Sequence, residues 1–202
     1  MILPSRIKSW VWTGHGDANG PLGNLVELRE RPLPELRKGQ VLIRVDGAPI
    51  NPSDEMFIRG LYGTQPKPGM VPGLEGCGTV VAANAGAYGW WLKGRRVCFG
   101  GLEGDGSWSE FSAVDAFSCI PISKQLSVPE AASLIVNPMS AIGLLDRVRR
   151  ERASAFVVNA AGSALGRHLL ALTKSLVANI SAWFAAMKPQ PNSGLQVPSM
   201  FL

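Results

Sequence analysis

A short run of small residues in the last third of the chain could bind a phosphate group. Ala160-Ala161-Gly162-Ser163-Ala164-Leu165-Gly166 follows the apolar run Ala155–Asn159 and opens a helical pattern that continues to Leu176. Small side chains let the backbone approach a pyrophosphate, and a helix N-terminus offers free N–H groups and the positive end of its dipole. The order of strand, turn and helix predicts the opening of a dinucleotide-binding βαβ unit.

This turn departs from the glycine-rich pattern G-x-G-x-x-G that is typical of such units. Only the third glycine position holds glycine, at Gly166, while Ala161 and Ser163 occupy the first two. A plain packing turn between a strand and a helix is therefore the alternative interpretation.

The charge of the C-terminal segment favours one nicotinamide cofactor over the other. The segment from Arg152 to Leu202 contains no Asp or Glu, so it has no carboxylate for the ribose 2′-hydroxyl of NAD. Lys174 or Lys188 could instead meet a 2′-phosphate. The segment therefore favours NADPH, although an altered tail would also lack the carboxylate.

A second group of polar residues lies where a long strand is predicted to end. Asn51-Pro52-Ser53-Asp54 follows the alternating run Val41–Asp46, and Tyr62 and Glu75 come later. Structural roles alone account for these residues. Asn51 can form an Asx-turn, Tyr62 can be a half-buried aromatic with its hydroxyl in water, and Glu75 can accept hydrogen bonds from backbone amides.

Composition and charge exclude several classes of protein. The 202 residues are 46% hydrophobic and 17% charged, which predicts a packed globular core. The net charge is +5, and no Lys/Arg cluster stands out with interleaved aromatic residues, so we expect no nucleic-acid partner. Apolar runs fall far short of the ~18 residues of a membrane span, so we expect no membrane partner.

Cysteine usage and the N-terminus predict a cytoplasmic protein. Cys77, Cys98 and Cys119 form no C-x-x-C pair, so we expect reduced thiols packed in a core and neither a disulfide framework nor a cysteine-rich zinc site. The N-terminal MILPSRIKSW lacks the apolar region of a secretory signal.

The first 122 residues are predicted to be rich in strands. Glycine or proline separates most of the candidate strands, and seven short strands at this spacing favour a closed or partly closed barrel. The candidates are Lys8–Trp12, Leu25–Leu28, Val41–Asp46, Gly78–Ala83, Arg95–Phe99, Trp108–Val114 and Phe117–Ile122.

The pattern changes to helices at Ser127. Ser127-Val128-Pro129-Glu130 is a capping box that opens a helix. Pro138 should kink or end that helix. A second helix is predicted from Ser140 to about Arg150, and Val177–Phe184 is a weaker candidate for a second strand of the nucleotide-binding unit. Such a domain needs about five or six strands, so we expect an incomplete one.

Seven motifs in order give this chain a family resemblance. They are Arg31-Pro32, Gly39-Gln40-Val41-Leu42, Asn51-Pro52-Ser53-Asp54, Pro72-Gly73-Leu74-Glu75-Gly76, Gly106-Ser107-Trp108-Ser109-Glu110, Asn137-Pro138-Met139-Ser140-Ala141 and the turn at residues 160–166. The chain resembles the medium-chain dehydrogenase/reductase superfamily, on its zinc-independent side with quinone oxidoreductases and 2-enoyl thioester reductases. The resemblance implies an α/β protein with a GroES-like barrel at residues 1–126 and the start of a Rossmann domain at residues 127–202.

The metal ligands of the zinc-dependent relatives are replaced here. Those relatives have Gly-His-Glu where this chain has Gly73-Leu74-Glu75, and they place a zinc-binding cysteine where Asn51 stands. The four-cysteine structural zinc loop is absent, and His15 and His168 lack metal-ligand spacing. We expect no metal.

The resemblance also implies site residues. It places an active-site tyrosine at Tyr62, with Asn51 fixing either that tyrosine or the nicotinamide ribose. The residues that it places on the cofactor are Asn137, Ser140, Gly162, Ser163, Ala164, Leu165 and Gly166.

Three hypotheses for function follow. The first is NADPH-dependent reduction of a small conjugated carbonyl compound, in particular a 2-enoyl thioester. The second is quinone reduction with the same cofactor. The third is a non-catalytic product of a truncated or frameshifted reductase, whose barrel survives and whose cofactor domain does not. Homodimers that pair through the Rossmann sheet are common in this family.

Overall fold

The computed structural model describes residues 2–14, 17, 19–63, 65–100, 105–176 and 181–184. The chain divides into two compact units, one ending at Ser133 and the other starting at Leu134. The sequence prediction put the domain boundary at residues 126/127, before the helix that Ser127 caps. That helix, α3 (Val128–Ala132), packs with the first unit, where Ala131 and Ala132 contact Cys77.

The first unit is built on antiparallel strands. The strands are β1 (Arg6–Trp12), β2 (Val26–Pro32), β3 (Gln40–Gly47), β4 (Glu75–Asn84), β5 (Arg96–Gly100), β6 (Phe111–Asp115) and β7 (Cys119–Pro121). Five of them form one sheet in the order β6-β3-β4-β5-β7, while β1 and β2 pair separately, and a bridge between Ser9 and Ser109 joins β1 to the segment before β6. This arrangement confirms the seven predicted strands, with shifted ends.

More than one buried cluster packs on the five-stranded sheet, since Leu42 of β3 belongs to a different cluster from its neighbours Val41 and Ile43. Val41 and Ile43 alternate inward from β3 and pack against Val97 and Phe99 of β5. At Gly78 the backbones of β3 and β4 approach so closely that a Cβ would lie 2.1 Å from the carbonyl oxygen of Arg44. Glycine is therefore required at this position by the close approach.

Two short helices of this unit escaped the sequence analysis. They are α1 (Pro52–Ile58) and α2 (Gly86–Leu92). The predicted strand at Phe117–Ile122 begins only at Cys119, because Phe117 lies in a 3-10 turn (Ala116–Ser118) and donates its N–H to Asp115 Oδ1 over 2.7 Å.

The predicted capping box at Ser127 is confirmed. Ser127 Oγ accepts the Glu130 N–H over 3.4 Å, and Glu130 Oε2 accepts the Ser127 N–H over 2.9 Å. The prediction for Pro138 is wrong, because the helix that Ser127 caps already ends at Ala132, and Pro138 lies in the first turn of the next helix, α4 (Val136–Arg150). Pro138 is the third residue of α4, where a backbone N–H would have no partner within the helix.

The second unit continues with β8 (Ala155–Val158), α5 (Ala164–Leu176) and β9 (Ser181–Phe184), and β8 and β9 pair in parallel. These elements form a βαβ unit. Of the predicted second strand, residues 177–180 lie outside the described residues. Phe156 and Val158 of β8 pack against the helices, while Val157 is 74% exposed.

In the described part of the chain, none of the helices is long and apolar enough to cross a membrane.

Candidate functional site

Asn51 lies at the start of helix α1, shortly after β3 ends. Its backbone is extended, and Pro52 begins the helix where a missing N–H does no harm. The Asn51 N–H donates to Asp54 Oδ2 over 2.7 Å, and the side-chain amide Nδ2 donates to Glu75 Oε1 over 2.8 Å. Both the backbone and the side chain of Asn51 are therefore held by carboxylates.

Asp54 joins α1 to the loop that precedes β4. Its side chain is fully buried, and its Oδ1 accepts the Leu74 N–H over 2.8 Å. Burial raises the pKa of Asp54 to about 6; hydrogen bonds from the Asn51 and Leu74 amides oppose this rise, and the negative charge of Glu75 adds to it. The sequence analysis missed Asp54, although it lies three residues after a cap residue, where a carboxylate accepts the cap N–H.

Glu75 begins β4 and is almost completely buried. The sequence analysis expected it to accept backbone amides, and the structure identifies the Asn51 side-chain amide as a partner. The backbone carbonyl of Glu75 accepts a hydrogen bond from Ser107 Oγ over 2.5 Å. This contact ties the loop at residues 72–76 to the Gly106–Glu110 motif.

Glycines allow these two loops to pack backbone against backbone. Gly73 has a φ of +105°, and a Cβ there would lie 2.3 Å from Ser107 Oγ. A Cβ at Gly106 would lie 2.1 Å from the Pro72 carbonyl oxygen. Two of the motifs that carry the family resemblance therefore meet in space and support Glu75.

Tyr62 lies in the segment after α1 and is 37% exposed. Within the described residues its hydroxyl forms no hydrogen bond to Asn51. A different polar atom is notable here. Ser53 Oγ is buried and lacks a hydrogen-bond partner in the described part of the chain, a condition that is rare and needs a reason.

The turn at residues 160–166 has the geometry of a close strand–helix junction. A Cβ at Gly166 would lie 2.3 Å from the Ala161 carbonyl oxygen, so this position requires glycine. Ser163 Oγ accepts the Gly166 N–H over 3.1 Å and caps α5. The N–H groups of Ala164 and Leu165 have no partner among the described residues, and a phosphate oxygen is a suitable acceptor for such groups. A Cβ at Gly162 would meet no atom within 4 Å.

Asn137 and Ser140 lie in the first turn and a half of α4, in the same unit as this turn. Ser140 Oγ donates to the Val136 carbonyl over 2.7 Å, so the hydroxyl can offer a bound molecule only its lone pairs. Asn137 is half-buried. Lys174 is exposed near the end of α5, and Lys188 lies outside the described residues.

The candidate thiols and histidines show no site. All three cysteines are free and buried, as predicted, and burial raises the pKa of Cys98 to about 11 and that of Cys119 to about 12. His168 is half-buried on α5, and His15 lies outside the described residues. The described residues hold no group of three or more His, Cys, Asp or Glu arranged as metal ligands.

Comparisons with known proteins identify the class. Residues 37–124 match the family model of the alcohol dehydrogenase GroES-like domain. The chain is 31% identical to the mitochondrial enoyl-[acyl-carrier-protein] reductase of Mus musculus over 174 residues, which are 86% of this chain and 45% of that protein. The human protein of the same name is 30% identical over the same shares of each chain.

Solved structures give the same class. A putative NADPH:quinone reductase from Mesorhizobium loti superposes with a TM-score of 0.80 and 36% identity, over 91% of this chain and 55% of that one. The quinone oxidoreductase of Thermus thermophilus, solved alone and with NADPH, superposes with a TM-score of 0.70 and 28% identity. The match covers 90% of this chain and 54% of that one. The chain belongs to the medium-chain dehydrogenase/reductase superfamily, in the branch of enoyl reductases and quinone oxidoreductases. It spans about half the length of these relatives.

Proposed function

We propose that this chain supplies the substrate barrel and the first cofactor-binding βαβ unit of an NADPH-dependent reductase of conjugated carbonyl compounds, with a 2-enoyl thioester as the substrate. The observation that carries the proposal is the junction of β8 and α5. There Gly166 lies against the Ala161 carbonyl, and the Ala164 and Leu165 N–H groups have no partner among the described residues.

This junction fits a dinucleotide. The third glycine of the nucleotide fingerprint serves close helix–strand packing, and this is the constraint at Gly166. The two unpartnered N–H groups and the positive helix end favour a pyrophosphate at Gly162–Gly166. Asn137 and Ser140 would contact the rest of the cofactor. Of the two lysines expected to meet a 2′-phosphate, Lys174 lies within the described residues, and we propose it for this contact. NADPH, when bound, supplies the hydride that the substrate β-carbon receives.

The barrel residues would stabilise the negative charge that develops on the substrate. As the β-carbon gains a hydride, negative charge accumulates on the thioester oxygen, and preorganised donors lower the energy of that state. The Tyr62 hydroxyl would donate a hydrogen bond to the oxygen or a proton to the resulting enolate. Asn51, held by Glu75, would position the tyrosine or the nicotinamide ribose.

Quinone reduction is the second candidate, and the 36% identity to a putative NADPH:quinone reductase favours it. The motifs Asn51-Pro52-Ser53-Asp54 and Asn137-Pro138-Met139-Ser140-Ala141 favour the thioester. The mitochondrial enoyl-[acyl-carrier-protein] reductases, at 30–31% identity, support it too. Steady-state assays with NADPH, using crotonyl thioesters beside ortho- and para-quinones, decide between the two. Faster turnover of quinones would overturn the thioester assignment.

Titration of the 202-residue chain with NADPH and NADH tests the cofactor. We expect saturable binding, tighter for NADPH, with enhanced nicotinamide fluorescence and a raised melting temperature. Gly166→Ala should weaken NADPH binding at least about tenfold, because its Cβ would overlap the Ala161 carbonyl. Gly143→Ala is the matched control in α4, since a Cβ there meets no atom within 4 Å. A cooperative melt without NADPH binding would contradict the proposal, and equal affinities would contradict the preference for NADPH.

A homodimer and a cytoplasmic location are also expected from the sequence. Homodimerisation and a cytoplasmic location stay predictions, and the curated relatives described above carry the word mitochondrial in their names.

A further inference from the structure

A row of stacked groups covers part of the surface of the first unit. The guanidinium carbon of Arg95 lies 4.1 Å from the ring centroid of Trp91. Trp91 stacks on Tyr88 with centroids 5.7 Å apart, and Tyr88 stacks on Phe117 with centroids 5.2 Å apart. Helix α2, the loop after it and the 3-10 turn before β7 together build this row.

Large aromatic groups in and beside the row are open to solvent. Trp90 is 76% exposed and Phe117 is 85% exposed, while Trp91 and Ile120 are about half exposed. Soluble proteins rarely leave several such side chains together in water, and a cluster of this kind marks an interaction surface. The row is fixed by its own stacking and by the Tyr88 hydroxyl, which donates to the Cys119 carbonyl over 3.4 Å.

Cations surround the exposed rings. An open depression of about 600 Å³ is lined by Trp90 and Trp91 together with Lys93, Arg95 and Lys124, and no carboxylate among the described residues lines it. These three cations are exposed. Arg95 Nε donates to the Trp91 carbonyl over 2.8 Å, and the neighbouring Arg96 donates to the Leu126 carbonyl. The segment Trp90-Trp91-Leu92-Lys93-Gly94-Arg95-Arg96 is a basic cluster next to aromatic residues, which the sequence analysis overlooked.

We propose that this aromatic–basic patch (Trp90, Trp91, Lys93, Arg95, Phe117 and Lys124) docks the protein on an anionic membrane surface. Lipid phosphates would occupy the depression beside Lys93, Arg95 and Lys124, and the rings of Trp90 and Phe117 would enter the headgroup region. Tryptophan has an apolar body and a polar N–H, which suit the membrane interface, and basic residues are attracted to acidic lipids. The expectation of no membrane partner rested on the lack of a spanning segment, which surface docking does not need.

The stacking disfavours single-stranded nucleic acid as the occupant. Nucleic-acid sites of this type bind bases on the free faces of aromatic rings. Here Trp91 contacts both Arg95 and Tyr88, and Tyr88 contacts both Trp91 and Phe117, so these two rings already have stacking partners within the protein. The charge disfavours a partner protein, because the centre of a protein interface is depleted of charged residues, whereas this depression is lined by three exposed cations.

Co-sedimentation of the full chain with phosphatidylcholine vesicles, with and without phosphatidylserine, tests the proposal. We expect binding only to the vesicles with phosphatidylserine, and release at high salt. Lys93→Gln/Lys124→Gln should weaken binding roughly 30-fold, from about 1 kcal/mol for each lost cation near an acidic surface. Trp90→Ser should also weaken it, and unchanged melting temperatures would show that these exposed variants fold.

The control variant is Lys38→Gln/Lys67→Gln, which removes the same charge from exposed sites of the same unit outside the patch. It should bind vesicles like the parent chain. No binding to phosphatidylserine vesicles would overturn the proposal, and so would equal weakening by the control. Tighter binding of an oligothymidine or of poly-glutamate than of the vesicles, abolished by Lys93→Gln/Lys124→Gln, would assign the patch to nucleic acid or to an acidic protein instead.

Discussion

The carboxyl group of Asp54 offers a direct test of the buried network that holds Asn51. Asp54 is fully buried, and its folded pKa is about 6 against an ordinary value of 3.8. Because the folded pKa is the higher one, the folded chain binds more protons than the unfolded chain between these two values. The free energy of unfolding therefore rises as the pH falls through 6 and levels off below 3.8.

The size of this effect follows from the two pKa values. Between pH ~7 and pH ~4.5, protonation of Asp54 adds about 2 kcal/mol to the free energy of unfolding. Asp54→Asn cannot titrate, so the variant lacks this contribution. The difference in unfolding free energy between the parent chain and the variant should therefore shift by about 2 kcal/mol in favour of the parent as the pH falls.

Urea unfolding of both chains at the two pH values measures this shift. Taking the difference between the two chains cancels the titration of all other groups that the substitution leaves unchanged. Glu35→Gln removes an exposed carboxyl of the same unit and serves as the control, with no shift expected. A constant difference between the parent chain and Asp54→Asn at both pH values would refute the argument that burial dominates the environment of Asp54. A shift of opposite sign would show that the two amide hydrogen bonds outweigh burial.

Two further predictions concern the barrel. Tyr62→Phe should lower kcat for reduction of a crotonyl thioester by about 10²–10⁴-fold with little change in NADPH affinity, because it removes only the hydroxyl. Unchanged turnover in a steady-state assay would remove Tyr62 from the mechanism. Gly78→Ala should lower the free energy of unfolding by about 2–4 kcal/mol, because its Cβ would lie 2.1 Å from the Arg44 carbonyl oxygen. Urea unfolding measures this loss, with Gly143→Ala as the control variant. Equal free energies of unfolding for Gly78→Ala and the parent chain would contradict the close approach of β3 and β4.

Strands such as β3 could be predicted from the sequence because their apolar residues recur with the period of a strand and are buried. The alternation of Val41, Ile43 and Val45 in β3 corresponds to the inward face of the sheet. The helices α1 and α2 carry no such signal, since each has seven residues and α2 contains two glycines and the exposed Trp90. Their positions depend on contacts made elsewhere in the chain. A periodicity argument therefore has too few residues to detect them.

The site was predicted only as far as local sequence patterns allow. The turn that ends at Gly166 could be identified because all of its constraints lie within seven residues. The bond between Asn51 and Glu75 joins residues 24 positions apart. It exists because Ser107 and glycine contacts hold the start of β4 beside α1. Such a pairing is set by tertiary packing, and the sequence shows only that both residues are polar.

The same network gives a chemical reason for the expectation of no metal at this position. Zinc needs ligands with free lone pairs, such as thiolate, imidazole or carboxylate. The Asn51 amide nitrogen is a donor here and is directed to Glu75, and Leu74, where zinc-dependent relatives have histidine, offers no ligand atom. One Asn51 side-chain N–H and one Glu75 oxygen are therefore already paired with each other. The buried carboxylate of Glu75, a group that could otherwise bind a metal, holds the Asn51 amide instead. We propose that this amide positions the reacting groups.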